Sequence, residues 1–212
     1  MAYNKTEHLR LNIEALRTAF ALEREGRTAT PQEQETLRAY SGFGAIKEVL
    51  EPLPHKKTTA LTPLVEELHT LLKENTPDER AYKRYFDGIK SSVLTAFYTP
   101  PVVIRSIYAA LGQMGFRQGN VLEPACGVGH FLGMLPEGMA ESKVYGVELD
   151  DVSGRIARQL YPRSSISVRG YEKMDFPDNF FDVAVGNVPF GQFKVQDRRY
   201  DRLNLSIHEY FF

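Results

Sequence analysis

From about residue 99 onward, short apolar runs alternate with amphipathic stretches, and this alternation restricts the fold more than any other feature. Runs of strand length and composition occur at 121–123, 144–148, 166–168 and 181–186. A helical face carrying Val152, Ile156 and Leu160 lies between the second and third. Strands separated by helices of about a dozen residues make parallel βαβ units, so an open α/β sheet is expected. A helix with Val103, Ile107, Leu111 and Met114 should precede the first strand, capped by Thr99, Pro100 and Pro101 and stopped at Gly115. A further helix should begin at Leu205. Four strands are fewer than a self-contained doubly wound domain normally has. The sheet is therefore expected to be incomplete at its C-terminal side, and the chain to be a fragment of a longer protein.

The first part reads as helices. Leu9, Ile13, Leu16 and Phe20 recur at helical spacing up to Gly26. Thr30, Pro31, Gln32 and Glu33 form a capping box with proline at the first helical position. Thr62 and Pro63 open a third helix, and the run Thr76, Pro77, Asp78, Glu79 predicts a second capping box. Ser41, Gly42, Phe43 and Gly44 interrupt the chain, and Pro52 and Pro54 bracket a loop. These signals divide the chain into a helical region, 1–92, and an α/β region, 93–212.

Several classes are disfavoured by composition. No apolar run approaches the roughly 18 residues that a membrane helix needs. The single cysteine, Cys126, excludes an internal disulfide and fits a reducing, cytoplasmic setting. The five histidines lack metal-ligand spacing, so no metal is expected. Net charge is −1, whereas a domain that grips nucleic acid alone is usually basic. Lys194, Arg198, Arg199 and Arg202 form a short basic cluster that reads as a solvated loop.

Chemistry concentrates at the strand ends. Glu123, Pro124, Ala125, Cys126, Gly127, Val128 and Gly129 form a glycine-rich turn in which backbone can approach a ligand. Leu132 stands where a dinucleotide fingerprint has its third glycine, and no Gly-Lys-Ser/Thr of a P-loop follows. Glu148 ends the second strand 25 residues after Glu123, placed to accept bonds from ribose hydroxyls. Glu172 or Asp175, after the third strand, can accept from an adenine amine, and Glu172 lies nearer the strand end. Cys126 reads as a small turn residue, because no histidine is placed to activate it. Asp182 reads as a hydrogen-bonder at a strand start. After the fourth strand come Asn187, Val188, Pro189 and Phe190. An amide oxygen and a backbone carbonyl there can accept both hydrogens of an exocyclic amine, while an aromatic face stacks on its ring. The arrangement suits methylation of a planar amino group.

Together these residues resemble the adenine-specific DNA methyltransferases of the gamma arrangement. Phe97, Tyr98, Thr99, Pro100 and Pro101 are similar to the leading motif that lines the methionine end of S-adenosylmethionine. Residues 123–132, including Phe131, resemble the D-P-A-C-G-S-G-x-F-L signature, with Glu for Asp and Val for Ser. Val147, Glu148, Leu149 and Asp150 resemble the ribose motif, and Asn187 to Phe190 the N-P-P-Y/F catalytic motif, with Val188 for its first proline. The region around Ser41 to Gly44 is similar to large methylase–helicase proteins of mobile elements.

The resemblance implies a Rossmann-like S-adenosylmethionine-dependent methyltransferase fold acting on adenine in DNA by direct displacement on a flipped base. Further parts of a longer protein would be needed to hold the DNA. Valine at 188 keeps the carbonyl but loses proline's fixed φ, so reduced efficiency is expected rather than loss of chemistry. Related motifs serve protein glutamine and RNA bases, and a non-catalytic cofactor-binding fragment is the remaining alternative.

Overall fold

The computed structural model describes residues 4–51, 58–95, 98–191 and 194–211. Its regular elements are α1 (Lys5–Glu25), α2 (Pro31–Arg38), α3 (Thr62–Glu74), α4 (Glu79–Thr95) and α5 (Pro101–Gln113). There follow β1 (Asn120–Glu123), α6 (His130–Gly133), β2 (Lys143–Glu148), α7 (Asp151–Leu160), β3 (Ser165–Val168), β4 (Val183–Ala184) and α8 (Ile207–Tyr210). The chain divides into two compact units, Met1–Phe97 with Asp151–Leu160, and Tyr98–Asp150 with Tyr161–Phe212.

The first unit is helical, and local signals start and stop its helices. The Asn4 side chain accepts from Glu7 N, and α1 ends at Gly26 with φ 62°. Both halves of the Thr30–Glu33 capping box are present. At α4 the cap is Asp78, whose Oδ1 accepts from Ala81 N at 2.7 Å. Thr76 instead bonds back to Lys73 O at 3.2 Å, so the expected box there does not form. Asp78 wins because it immediately precedes the first helical residue. Leu9, Ile13 and Leu16 of α1 are buried, as are Val65, Leu68 and Leu72 of α3 and Ile89 of α4. Phe20 meets Tyr85 edge to face at 5.7 Å. In α7, Arg155 pairs with Glu23 at 2.5 Å, and the Gln159 side chain accepts from Ala29 N at 3.0 Å. The interruption after α2 is a pinned loop: Asn12, fully buried, accepts from Ser41 N and donates to Gly42 O. Phe43 is core. The loop marked by Pro52 and Pro54 lies outside the described residues.

The second unit holds a four-stranded parallel sheet in the order β3-β2-β1-β4. Ile104 and Tyr108 of α5 pack with Val121, Phe131, Met139 and Val185. Each such side chain contributes about 1.5–3 kcal/mol on leaving water. Two details differ from the sequence expectation. Thr99 makes no cap bond, and Pro100 is the N-cap of α5. β4 is two residues rather than 181–186, and it is a half-exposed edge rather than a buried strand. Pairing nevertheless brackets it, since Asp182 N donates to Asn120 O and Val185 N to Leu122 O. Asp182 also takes the expected role at the strand start, accepting from Asn120 N at 2.7 Å.

Candidate cofactor and substrate site

β1 has β2 on one side and β4 on the other. The strand order reverses there, and in open α/β sheets ligands bind outside the carboxyl ends of the strands at such a point. Glu123 ends β1, and Asn187 lies three residues beyond the end of β4. A Cβ placed on Gly186 would lie 3.6 Å from both Glu123 Cγ and Pro124 Cδ. The loop carrying Asn187, Val188, Pro189 and Phe190 therefore leaves the sheet against the glycine-rich turn. Asn187 is exposed, and Phe190 is 67% exposed.

The turn is tied to β2. Cys126 N donates to Val147 O at 3.0 Å, and Gly127 N donates to Glu148 Oε2 at 2.6 Å. Glu148 Oε1 accepts from Asp150 N at 2.7 Å. Its carboxyl is pushed up to about 7, first by burial and then by the negative charge of Asp150. Glu148 is thus half-buried and anchored, not an exposed strand-end acid.

Gly127 and Gly129 have φ of +55° and +85°, which other residues adopt only with strain. Their open faces differ. Gly127 faces Tyr98, whose Cε1 would be 3.6 Å from an added Cβ, whereas a Cβ added to Gly129 would come within 2.6 Å of the Tyr161 ring. Tyr98 stacks obliquely on His130 at 4.7 Å. Its hydroxyl is raised by burial and by Asp150 and Glu148. Phe131 lies in the core, and Ala125 is half-buried. Burial pushes the Cys126 thiol far up, which disfavours the thiolate that a nucleophile needs.

Glu123 is 3% exposed, and its Oε2 has no hydrogen-bond partner among the described residues. Burial, then repulsion from Glu148, raise its carboxyl well above the ordinary range, while the Leu132 N–H bonds to it. A buried acceptor left unpaired is costly. This set of acceptors suits a group offering positive charge and hydroxyl donors.

After β3, Glu172 is half-buried and Asp175 exposed. The Glu172 carboxylate folds back over Gly170, where a Cβ would strike it. Leu149 is 74% exposed, Thr99 is half-buried, and Phe97 lies outside the described residues. A cleft of about 530 Å³ lined by Lys194, Arg198, Tyr200, Asn204 and Tyr210, among others, includes none of these residues. The sequence reading missed one feature. Arg199, though exposed, is bound to Asp197, which lies two residues earlier, and that Asp-x-Arg spacing is the signal that could have found the pair.

The parallel sheet and its switch-point turn define a Rossmann-like domain, and residues 122–199 match the family model described as "Methyltransferase domain". S-adenosylmethionine is the cofactor that this likeness implies for the matched residues. Glu123 and Glu148 offer carboxyl acceptors of the kind that an ammonium or a ribose diol donates to. Among curated proteins, the chain is 36% identical over 106 residues to "Defense against restriction protein B" of Escherichia phage P1, covering 49% of this chain and 4% of that protein. It is 33% identical over 94 residues to "Type II methyltransferase M.CvrRI" of Paramecium bursaria Chlorella virus XZ-6E, covering 44% of this chain and 24% of that protein. The chain thus spans a quarter or less of the length of these relatives. A solved structure described as a class I S-adenosylmethionine-dependent methyltransferase from Listeria monocytogenes aligns with a TM-score of 0.43 at 16% identity, over 89% of this chain and 61% of that one.

Proposed function

We propose that the chain is the cofactor-binding and catalytic part of a methyltransferase acting on the exocyclic amine of adenine in DNA. The observation that carries this reading is the placement of the Asn187 loop against the Glu123–Pro124 turn at the sheet's switch point. Its similarity to a type II methyltransferase supports DNA as the substrate.

The cofactor supplies an electrophilic methyl on a sulfonium. The chain's own residues supply the rest. The Asn187 side-chain oxygen and the Val188 carbonyl accept the two amine hydrogens and localise the nitrogen lone pair. These bonds strengthen as nitrogen becomes cationic, which favours the transition state over the ground state. Phe190, exposed at the loop, stacks on a base taken out of the duplex. Glu148 and Glu123 fix the donor side, so that much of the rate comes from positioning. In the displacement an N–C bond forms, an S–C bond breaks and the nitrogen then releases a proton to solvent.

The test is transfer of a labelled methyl to duplex DNA, RNA and a glutamine-bearing protein, with the modified residue identified after digestion. Label in 6-methyladenine is the expected result, and label confined to RNA or protein would overturn the DNA reading. Asn187→Ala should lower transfer by about a hundredfold or more while calorimetric binding of the cofactor persists. Equal loss of both would contradict these roles. Val188→Pro should transfer faster, because proline fixes the φ that aims the carbonyl. Cofactor binding without transfer to any polymer would instead support a non-catalytic segment.

A further inference from the structure

Asp197 is a charged residue only 5% exposed, and it is the centre of a bonded cluster that the proposed chemistry does not use. Arg199 donates to it through Nε at 3.0 Å and through a terminal nitrogen at 2.8 Å. The Tyr210 hydroxyl donates to the same carboxylate at 2.7 Å. Arg199 also reaches a different segment, donating to Met174 O at 2.9 Å and to Glu172 O at 3.1 Å. The Tyr171 ring adds contacts to Tyr210 and Phe211, with centroids 6.1 and 5.4 Å apart. Residues 171–174 are thus held from one side by a segment that follows the Asn187 loop in sequence. A planar guanidinium suits this task, since its fork serves a carboxylate and two carbonyls at once.

We propose that Asp197, Arg199 and Tyr210 form a clamp that positions the Glu172 loop to read the adenine of the bound cofactor. This rests on the cofactor assignment and on Glu172 as the adenine acceptor. Arg199 is a positioning residue, acting through the backbone on either side of Lys173 and touching no ligand itself. Through it the segment after the substrate loop sets the geometry of the purine end of the cofactor pocket.

The experiment is calorimetric titration of the 212-residue chain with S-adenosylhomocysteine and with its 6-oxo counterpart, S-inosylhomocysteine. The second ligand cannot donate an amine hydrogen to Glu172. Wild type should prefer the amine on the order of tenfold, one charge-assisted hydrogen bond. Arg199→Leu and Arg199→Lys should bind the adenosyl ligand about tenfold more weakly and lose most of that preference. Tyr210→Phe, which keeps the rings and removes one bond, should give a smaller change in the same direction. It also serves if Arg199→Leu does not fold. A merely structural role predicts equal weakening for both ligands with the preference intact, and that result overturns the clamp. So does unchanged affinity in the folded variants. Wild type that binds neither ligand would overturn the cofactor assignment, and the clamp with it. Wild type that binds both equally would instead remove Glu172 as the reader.

Discussion

A carboxyl group that gives up water to reach its place titrates late, and Glu148 does so near 7 against an ordinary 4.5. The folded chain holds this proton at pH values where the unfolded chain has released it. Stability from this group is therefore full below about pH 4.5 and declines as pH rises through 7. His130 works in the opposite direction, since burial lowers its pKa and the unfolded chain binds the extra proton. Comparing Glu148→Gln with wild type cancels the histidine contribution. The variant's melting temperature relative to wild type should climb between pH 5 and 8 and then level off. The gain is at most about 3 kcal/mol, the full value of the shift. A difference independent of pH would mean that Glu148 is ionised at its ordinary value.

Among elements, the glycine-rich turn separates backbone strain from packing. Gly127→Ala adds strain at a positive φ, with its Cβ in ordinary contact with Tyr98. Gly129→Ala adds the same strain and also drives a methyl into the Tyr161 ring. Urea unfolding should show a loss of about 1–3 kcal/mol for the first and a larger one for the second, and the reverse order would contradict the Tyr161 contact. In the helical unit, Asn12→Ala leaves the Ser41 amide and the Gly42 carbonyl without their buried partner. A cost of about 2–4 kcal/mol is expected from the same measurement. The sequence disclosed elements whose signals are local: the Gly26 stop, the Thr30 box, and the strands whose apolar runs end in glycine or glutamate. It did not disclose what depends on distant partners. The brevity of β4 follows from its edge position, and the depth of Glu148 depends on an amide returning from Gly127. The Asp197 cluster needed residues from 172 to 210 to meet. The Ser41 to Gly44 interruption was visible, but its anchoring by Asn12, some 30 residues earlier, was not.

For the whole chain, the question is how much of a polyanion it can hold. Its 26 basic and 27 acidic residues nearly cancel. Many of the cations are also spoken for locally, as in Arg10–Glu7, Arg17–Glu67, Arg27–Glu33 and Arg38–Glu35. In the segment after the substrate loop, Lys194 is bonded to Asn204 and Arg199 to Asp197, which leaves Arg198 and Arg202 as exposed cations there. Two such cations neutralise about two phosphates. The logarithm of affinity for duplex DNA should then fall against the logarithm of salt with a slope of about −2. Fluorescence anisotropy between roughly 50 and 200 mM salt should therefore lose only about tenfold to twentyfold in affinity. Arg198→Gln with Arg202→Gln should flatten the remaining dependence. A slope of about −6 or steeper would require phosphate contacts well beyond this segment. In that event, the reading that most of the grip on DNA lies outside these 212 residues would fall.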